Sequence, residues 1–251
     1  MAPSLESPGV LQAVGTALAG DAEALAALHD RELTPAMIAA LRDGGFAGTL
    51  ALTPATGGAR AALEALVQGI ATLPAAGDAA GLDDLAAEYA AIYLTGAYGA
   101  SPCESVWLDD DRLVCQQPMF AWRALHVAAD LEPPDWRRRA DDHLVLQLQY
   151  IAHVLRRAQS LDAWRARADV LDMHTLRWLD EFAARIAARG QIPFYVGLVV
   201  YTAAWVDGLR DLLAHALGKA RPTREAIEAR ARPPVPESVP LTFMPGAAPS
   251  W

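Results

Sequence analysis

Asp141-Asp142-His143 is the triplet of this sequence whose residue types could most readily do chemistry. Two carboxylates beside an imidazole could hold the amide or guanidinium groups of a peptide. The same triplet could also simply start a helix, where carboxylates cap free N–H groups and face the positive end of the dipole. The other histidines, His29, His126, His153, His174 and His215, are scattered, and no two stand four apart around a glutamate. No metal site is therefore expected. Cys103 and Cys115 do not form a CxxC pair, and two thiols do not complete a zinc site; they read as ordinary thiols of a reducing compartment. No GxxxxGK[ST], strand-linked GxGxxG or GxSxG occurs, so no catalytic residue is assigned. Arg137 with Asp141 and Arg138 with Asp142 have helical i, i+4 spacing, worth about a few tenths of a kcal/mol each on an exposed face.

Helices must position these groups. Ala and Leu dominate, and period-two alternation is hard to find, so the chain is expected to be all-α. Candidate helices cover 8–29, 34–43, 58–73, 82–95, 117–129, 140–158, 161–188, 193–217 and 223–231, separated by Gly and Pro breakers. In 140–158, Leu144, Leu148, Ile151 and Leu155 form one apolar stripe, with His143, Gln147 and Tyr150 on a neighbouring face. His174 and Trp178 stand i, i+4 on one face of 161–188. No linker of domain size interrupts the chain. It reads as one helical bundle over 1–230 followed by a Pro-rich tail, 231–251, laid over the surface.

With 251 residues and 53% hydrophobic content, the chain can bury a full core without disulfides or metals. Its net charge of −9 argues against a nucleic-acid partner, which needs a basic face, and favours a basic one. The N-terminus lacks the basic and apolar regions of a secretory signal. The longest apolar run, Ile192 to Val206, falls short of the roughly 20 residues of a membrane span. No membrane span is expected, and the localisation read from these features is cytoplasmic.

Four blocks in order carry a resemblance. Leu82 to Leu94 holds Glu88, Tyr89 and Tyr93; Pro102-Cys103-Glu104-Ser105-Val106-Trp107 follows; then Asp141 to Ile151; then His174-x-x-x-Trp178 leading to Pro193-Phe194-Tyr195. Together they resemble the TorD/DmsD-type chaperones that mature molybdenum-containing redox enzymes. The likeness covers about residues 82–210. Arg139 and Ala140 stand where that family has Glu and Pro, Gln147 where it often has Glu, and Tyr93 where it usually has Phe. A shifted match at Glu132 to Trp136 lacks the His, and the stripe from Leu144 selects the later copy.

The resemblance implies an all-α, single-domain, non-enzymatic chaperone with no cofactor of its own. It would bind the twin-arginine leader and the apo-form of a molybdoenzyme until the cofactor is inserted before export. The peptide-binding residues it implies are Tyr93, Glu104, Ser105, Trp107, Asp141, Asp142, His143 and Gln147, with the acids meeting the leader's arginines. Tyr150 and Trp178 would add aromatic surface. Two alternatives stay open. One is an adaptor for a nitrate reductase-like enzyme without an exported leader. The other is a helical switch that binds GTP.

Overall fold

The structure, a computed structural model, describes residues 8–132 and 139–231. The ion pairs expected of Arg137 and Arg138, and the tail from residue 232 on, lie outside them. The described residues are helical, with no strand and one isolated antiparallel bridge, Cys103 to His143. The chain forms two units, Met1–Arg221 and Pro222–Trp251. In the second, Thr223 accepts from Ala226 N at the start of a short exposed helix, Arg224–Ala231.

In the first unit, α1 (Pro8–Asp30) is followed by α2 (Pro35–Asp43), where Thr34 caps Met37 N and proline supplies a first position that needs no N–H. A short α3 (Phe46–Thr49) precedes α4 (Gly57–Ala71), capped by Thr56, and α5 (Ala79–Tyr89), capped by Asp78. Next come α6 (Ser105–Leu108), α7 (Gln117–Ala128), α8 (Leu144–Arg156), α9 (Leu161–Met173), α10 (Leu179–Arg189) and α11 (Pro193–Leu217). The left-handed Gly218, φ +59°, ends α11.

Helix α1 lies along α8, and α4 along α11, with α9 and α10 packed on α11. The stripe Leu144, Leu148, Ile151 and Leu155 is buried in the main core as its spacing predicts, beside Trp164, Trp178, Trp205, Phe182 and Phe194. Two glycines allow α4 and α11 to touch backbone to backbone. A methyl on Gly69 would meet the Phe194 Cα at 2.7 Å, and one on Gly197 the Leu66 Cα at 2.7 Å. Asp172 and Arg210 pair in bidentate fashion, both bonds 2.8 Å, and tie α9 to α11 inside the core.

Two expected helices need correction. The segment 140–158 is helical only from Leu144, and His143 is the cap, its Nδ1 accepting from Val145 N at 3.1 Å. Asp141 and Asp142 therefore do not cap α8. The expected 161–188 helix breaks at His174, whose backbone (φ −127°, ψ −90°) is not helical; a 3-10 turn, Thr175–Arg177, joins α9 to α10. His174 and Trp178 flank that turn and do not share a helix face.

Candidate functional site

The Pro102 loop and the Asp142 segment are fastened together as one clasp. Leu144 N donates to Pro102 O (2.7 Å) and Glu104 N to Asp142 O (3.2 Å), which makes the antiparallel bridge. Ser105 then donates both its backbone N (2.7 Å) and its hydroxyl (2.6 Å) to Asp142 Oδ2. Gln116 N donates back to the Ser105 hydroxyl oxygen at 3.2 Å, so the far end of the loop is held at the same point. Asp142 is fully buried. Burial pushes its carboxyl up from the usual range, and the Ser105 bonds oppose that without cancelling it.

Glu104, also fully buried, is the second centre. Its Oε2 accepts from Trp122 Nε1 (2.7 Å) and Gln147 Nε2 (3.1 Å), and its Oε1 pairs with His174 Nδ1 (2.8 Å). Gln147 also donates to Asp142 O (2.9 Å) and accepts from the Thr175 hydroxyl (2.8 Å). The break at His174 is thus built around this centre, since the turn presents two consecutive polar side chains to it. The amide at 147, where a glutamate would repel Glu104, supplies a donor instead.

Tyr93 reaches the site from a π-helical turn, Ala90–Leu94, that extends α5; Thr95 N bonds Ala90 O at 2.9 Å. Its hydroxyl lies 2.6 Å from Nδ1 of the buried His29, whose Nε2 lies 2.8 Å from the Thr202 hydroxyl. Thr202 donates its own proton to Leu198 O, so His29 carries its proton on Nε2 and accepts from Tyr93. Asp141 pairs with Arg123 (2.8 Å), and Arg139 binds Asp30. Trp107 is half-buried, stacked on Trp178 and covered by the Arg185 guanidinium.

A pocket of about 760 Å³ is lined by both segments of the clasp, through Pro102, Cys103, Ala140 and His143, and by Tyr93 and Met119. Its lip carries Leu94, 66% exposed, and Val114, 54% exposed; Leu113 and Phe120, beside lining residues in sequence, are also exposed. Both cysteines line it as free thiols. Burial, then the nearby Asp142, pushes the Cys103 thiol up to about 12. Its charged lining groups are Arg123 and Arg139, each paired with an acid.

Of the eight residues read from the sequence, Tyr93 and His143 line the pocket. Glu104, Ser105, Asp142 and Gln147 are fully buried, and Asp141 nearly so. They hold the clasp, and the Glu104 and Asp141 carboxylates are already matched by protein donors. Trp107 packs against the core from outside the pocket lining. Tyr150 and Trp178 are buried, 5% and 0% exposed, and offer no open aromatic surface. His29, Thr202, Trp122 and Arg123 were not singled out, since each joins the site from a distant helix and only tertiary contact gives it a role. Among the described residues, no group of three or more His, Cys, Asp and Glu could hold a metal ion.

The arrangement is that of an all-α protein with a fastened loop beside a pocket. Its polar groups fasten a loop to a helix start, and the pocket they frame has a mixed lining, apolar at Ile92, Leu94, Val106, Val114 and Met119 and polar at Ser101, Arg123, Arg139 and His143. Residues 54–184 match the family described as "Nitrate reductase delta subunit", and the chain belongs to that family. Among curated relatives it is similar to the "Chaperone protein TorD" of Shewanella loihica, 30% identical over 137 residues, covering 52% of this chain and 63% of that one. The proteins of the same name from Vibrio parahaemolyticus (22% over 123 residues, 46% and 57%) and Vibrio cholerae (29% over 110 residues, 41% and 50%) are further relatives. The chain thus spans between half and two thirds of the length of these relatives. No solved structure matches it.

Proposed function

We propose that this chain is a cytoplasmic maturation chaperone that binds the twin-arginine leader and apo-form of a molybdopterin oxidoreductase and holds it until its cofactor is inserted. No bond is made or broken in that task. The observation that supports the reading is the pocket with its exposed apolar lip, framed by the clasp that joins two of the four motif blocks. An apolar stretch of the leader would bury against Leu94, Val114, Met119 and Tyr93. The acids behind the clasp act as scaffold, so the leader's arginines add only rim contacts.

Affinity should accordingly follow burial more than charge. Replacing two leucines of the leader's apolar stretch by serine should remove about 3 kcal/mol or more, over a hundredfold in Kd. Replacing its Arg pair by Lys should change Kd by less than about fivefold, as for exposed ion pairs. Calorimetry with the leader of the oxidoreductase encoded in the same genome measures both. The double variant Leu94→Asn/Val114→Asn, at exposed positions, should weaken binding about tenfold or more without changing Tm. A leader that detaches in high salt yet tolerates loss of its apolar stretch would overturn this account. The family description keeps one second reading in view, a nitrate reductase-like client without an exported leader. The N-terminal peptide of such an enzyme, run in the same calorimeter, separates the two.

No helix among the described residues is long and apolar enough to cross a membrane.

A further inference from the structure

Cys103 and Cys115 lie near the two ends of the segment that runs from the clasp to α7, and both line the Tyr93 pocket as free thiols. The ends of that segment are drawn together. Gln116 N, next to Cys115, donates to the hydroxyl of Ser105, two residues after Cys103. Burial, then Asp142, raise the Cys103 thiol most, and the two cysteines are near enough for Cys115 to add to it. Cys103 is buried and fixed, because the bridge holds both its neighbours, Leu144 N on Pro102 O and Glu104 N on Asp142 O. Cys115 is exposed, as is every residue from Asp110 to Val114. Arg112 (φ +55°) and Cys115 (φ +60°) both hold the left-handed backbone that favours glycine, so this exposed stretch is under strain.

We infer that Cys103 and Cys115 form a reversible thiol–disulfide pair, oxidised by peroxide, whose bond draws the Val114–Cys115 edge of the pocket onto the Cys103 wall. The exposed Cys115 meets the oxidant first. Its thiolate sulfur attacks one peroxide oxygen, the O–O bond breaks, and a sulfenic acid forms while the departing hydroxide takes up the thiol's proton as water. The Cys103 sulfur then attacks the Cys115 sulfur, the S–O bond breaks, and the leaving hydroxide takes the Cys103 proton as a second water. The two sulfurs lose two electrons in all, and the peroxide gains them. Until that step a buried thiol held up at about 12 stays protonated and unreactive. A disulfide brings its two Cα atoms to about 5.5–6 Å, so the exposed stretch moves inward while the bridged wall stays in place. Where this pocket seats the leader, oxidation then releases the client; that consequence rests on the proposed function, and the bond itself does not.

The test treats the full chain with hydrogen peroxide and follows it by thiol titration and peptide mapping. Both thiols should be lost together, and a linked Cys103–Cys115 peptide should appear and vanish again with dithiothreitol. Cys115→Ser, at an exposed position, should keep its Cys103 thiol at the same dose, and it controls for oxidation of Met119 in the pocket wall. In the linked protein, hydrogen exchange over Val114 to Met119 should slow with no leader present, and leader affinity should fall about tenfold or more. Dithiothreitol should restore both, and Cys115→Ser should show neither. Cys115 driven to sulfinic acid beside an intact Cys103 thiol, or a bond that joins two chains, would overturn the inference. So would a linked protein whose exchange is unchanged. A linked protein with slowed exchange and normal leader affinity would bear out the pair and contradict the leader's seat in this pocket.

Discussion

Replacing Glu104 by alanine is expected to lower stability by about 3–5 kcal/mol, the range for removing one partner of a buried charged network. Three donors converge on this carboxylate, Trp122 Nε1, Gln147 Nε2 and His174 Nδ1, from α7, α8 and the turn after α9. Trp122 is fully buried beside a Glu104 that is 0% exposed, and a buried donor left alone costs about 1–3 kcal/mol; Gln147 keeps its bond to Asp142 O and His174 is partly exposed. A chain of this size shifts its Tm by about 2–4 °C per kcal/mol, so the variant should melt roughly 6–20 °C lower. Glu104→Gln should recover more than half of the loss. Its amide oxygen can face Trp122 and Gln147 while its NH2 faces His174, provided His174 moves its proton to Nε2. Urea melts of the three proteins measure this. A Glu104→Ala protein within about 1 kcal/mol of the parent would mean that the network does not organise the site.

Mild acid is expected to produce a loss of similar size through two buried histidines. Burial holds His29 at about 3, and burial followed by the Arg139 charge does the same for His143. The unfolded chain takes up a proton at each near pH 6.5, and the folded chain refuses it. Folded values below unfolded ones mean that stability is complete above pH 6.5 and falls as pH drops towards 3. Each of the two contributes a slope of about 1.4 kcal/mol per pH unit, so together they should remove about 5 kcal/mol by pH 4.5, and His126 and His153, which burial also lowers, add to the loss. Asp142 opposes this in part, because its raised carboxyl binds a proton more readily folded than unfolded. The lowered carboxyls Glu23 and Asp30 add their own loss only below the usual carboxylate range. The check is the urea midpoint at pH 7 and pH 4.5, for the parent and for His29→Gln. The variant should lose up to half the slope, less the share of His126 and His153. A flat profile between pH 6.5 and 4.5 would contradict the burial argument.

Helix ends were legible in the sequence where a local signal marks them. Thr34-Pro35 opens α2, Pro193 opens α11 and Gly218 closes it, and each acts through its own backbone or cap. The break at His174 was not legible, because Leu171 to Trp178 contains no Gly or Pro and reads as continuous helix. It exists because His174 and Thr175 bond Glu104 and Gln147, partners 70 and 28 positions away. The start of α8 was misread for a related reason. Asp141 and Asp142 look like caps by spacing, but Arg123 and Ser105 take their carboxylates, and the cap falls to His143.

The same distinction separates the site residues. The motif blocks around Glu104 and Asp142 stand out as residue patterns. That they fasten to each other is a contact between residues 37 apart, which no periodicity reports. Acids read as a surface for arginine are buried with protein donors, which residue type alone does not reveal.

Amide hydrogen exchange with and without the client's leader tests the central claim most directly, because it reads location without mutation. Binding at the clasp pocket should slow exchange in the segments that line it, Ile92 to Gly96, Ser101 to Cys103 and Val114 to Met119. The clasp amides of Glu104, Ser105 and Leu144 should already be protected in the free protein and change little. Protection confined to other segments, or none at saturating leader, would show that the pocket beside Tyr93 and His143 is not where the proposed leader binds.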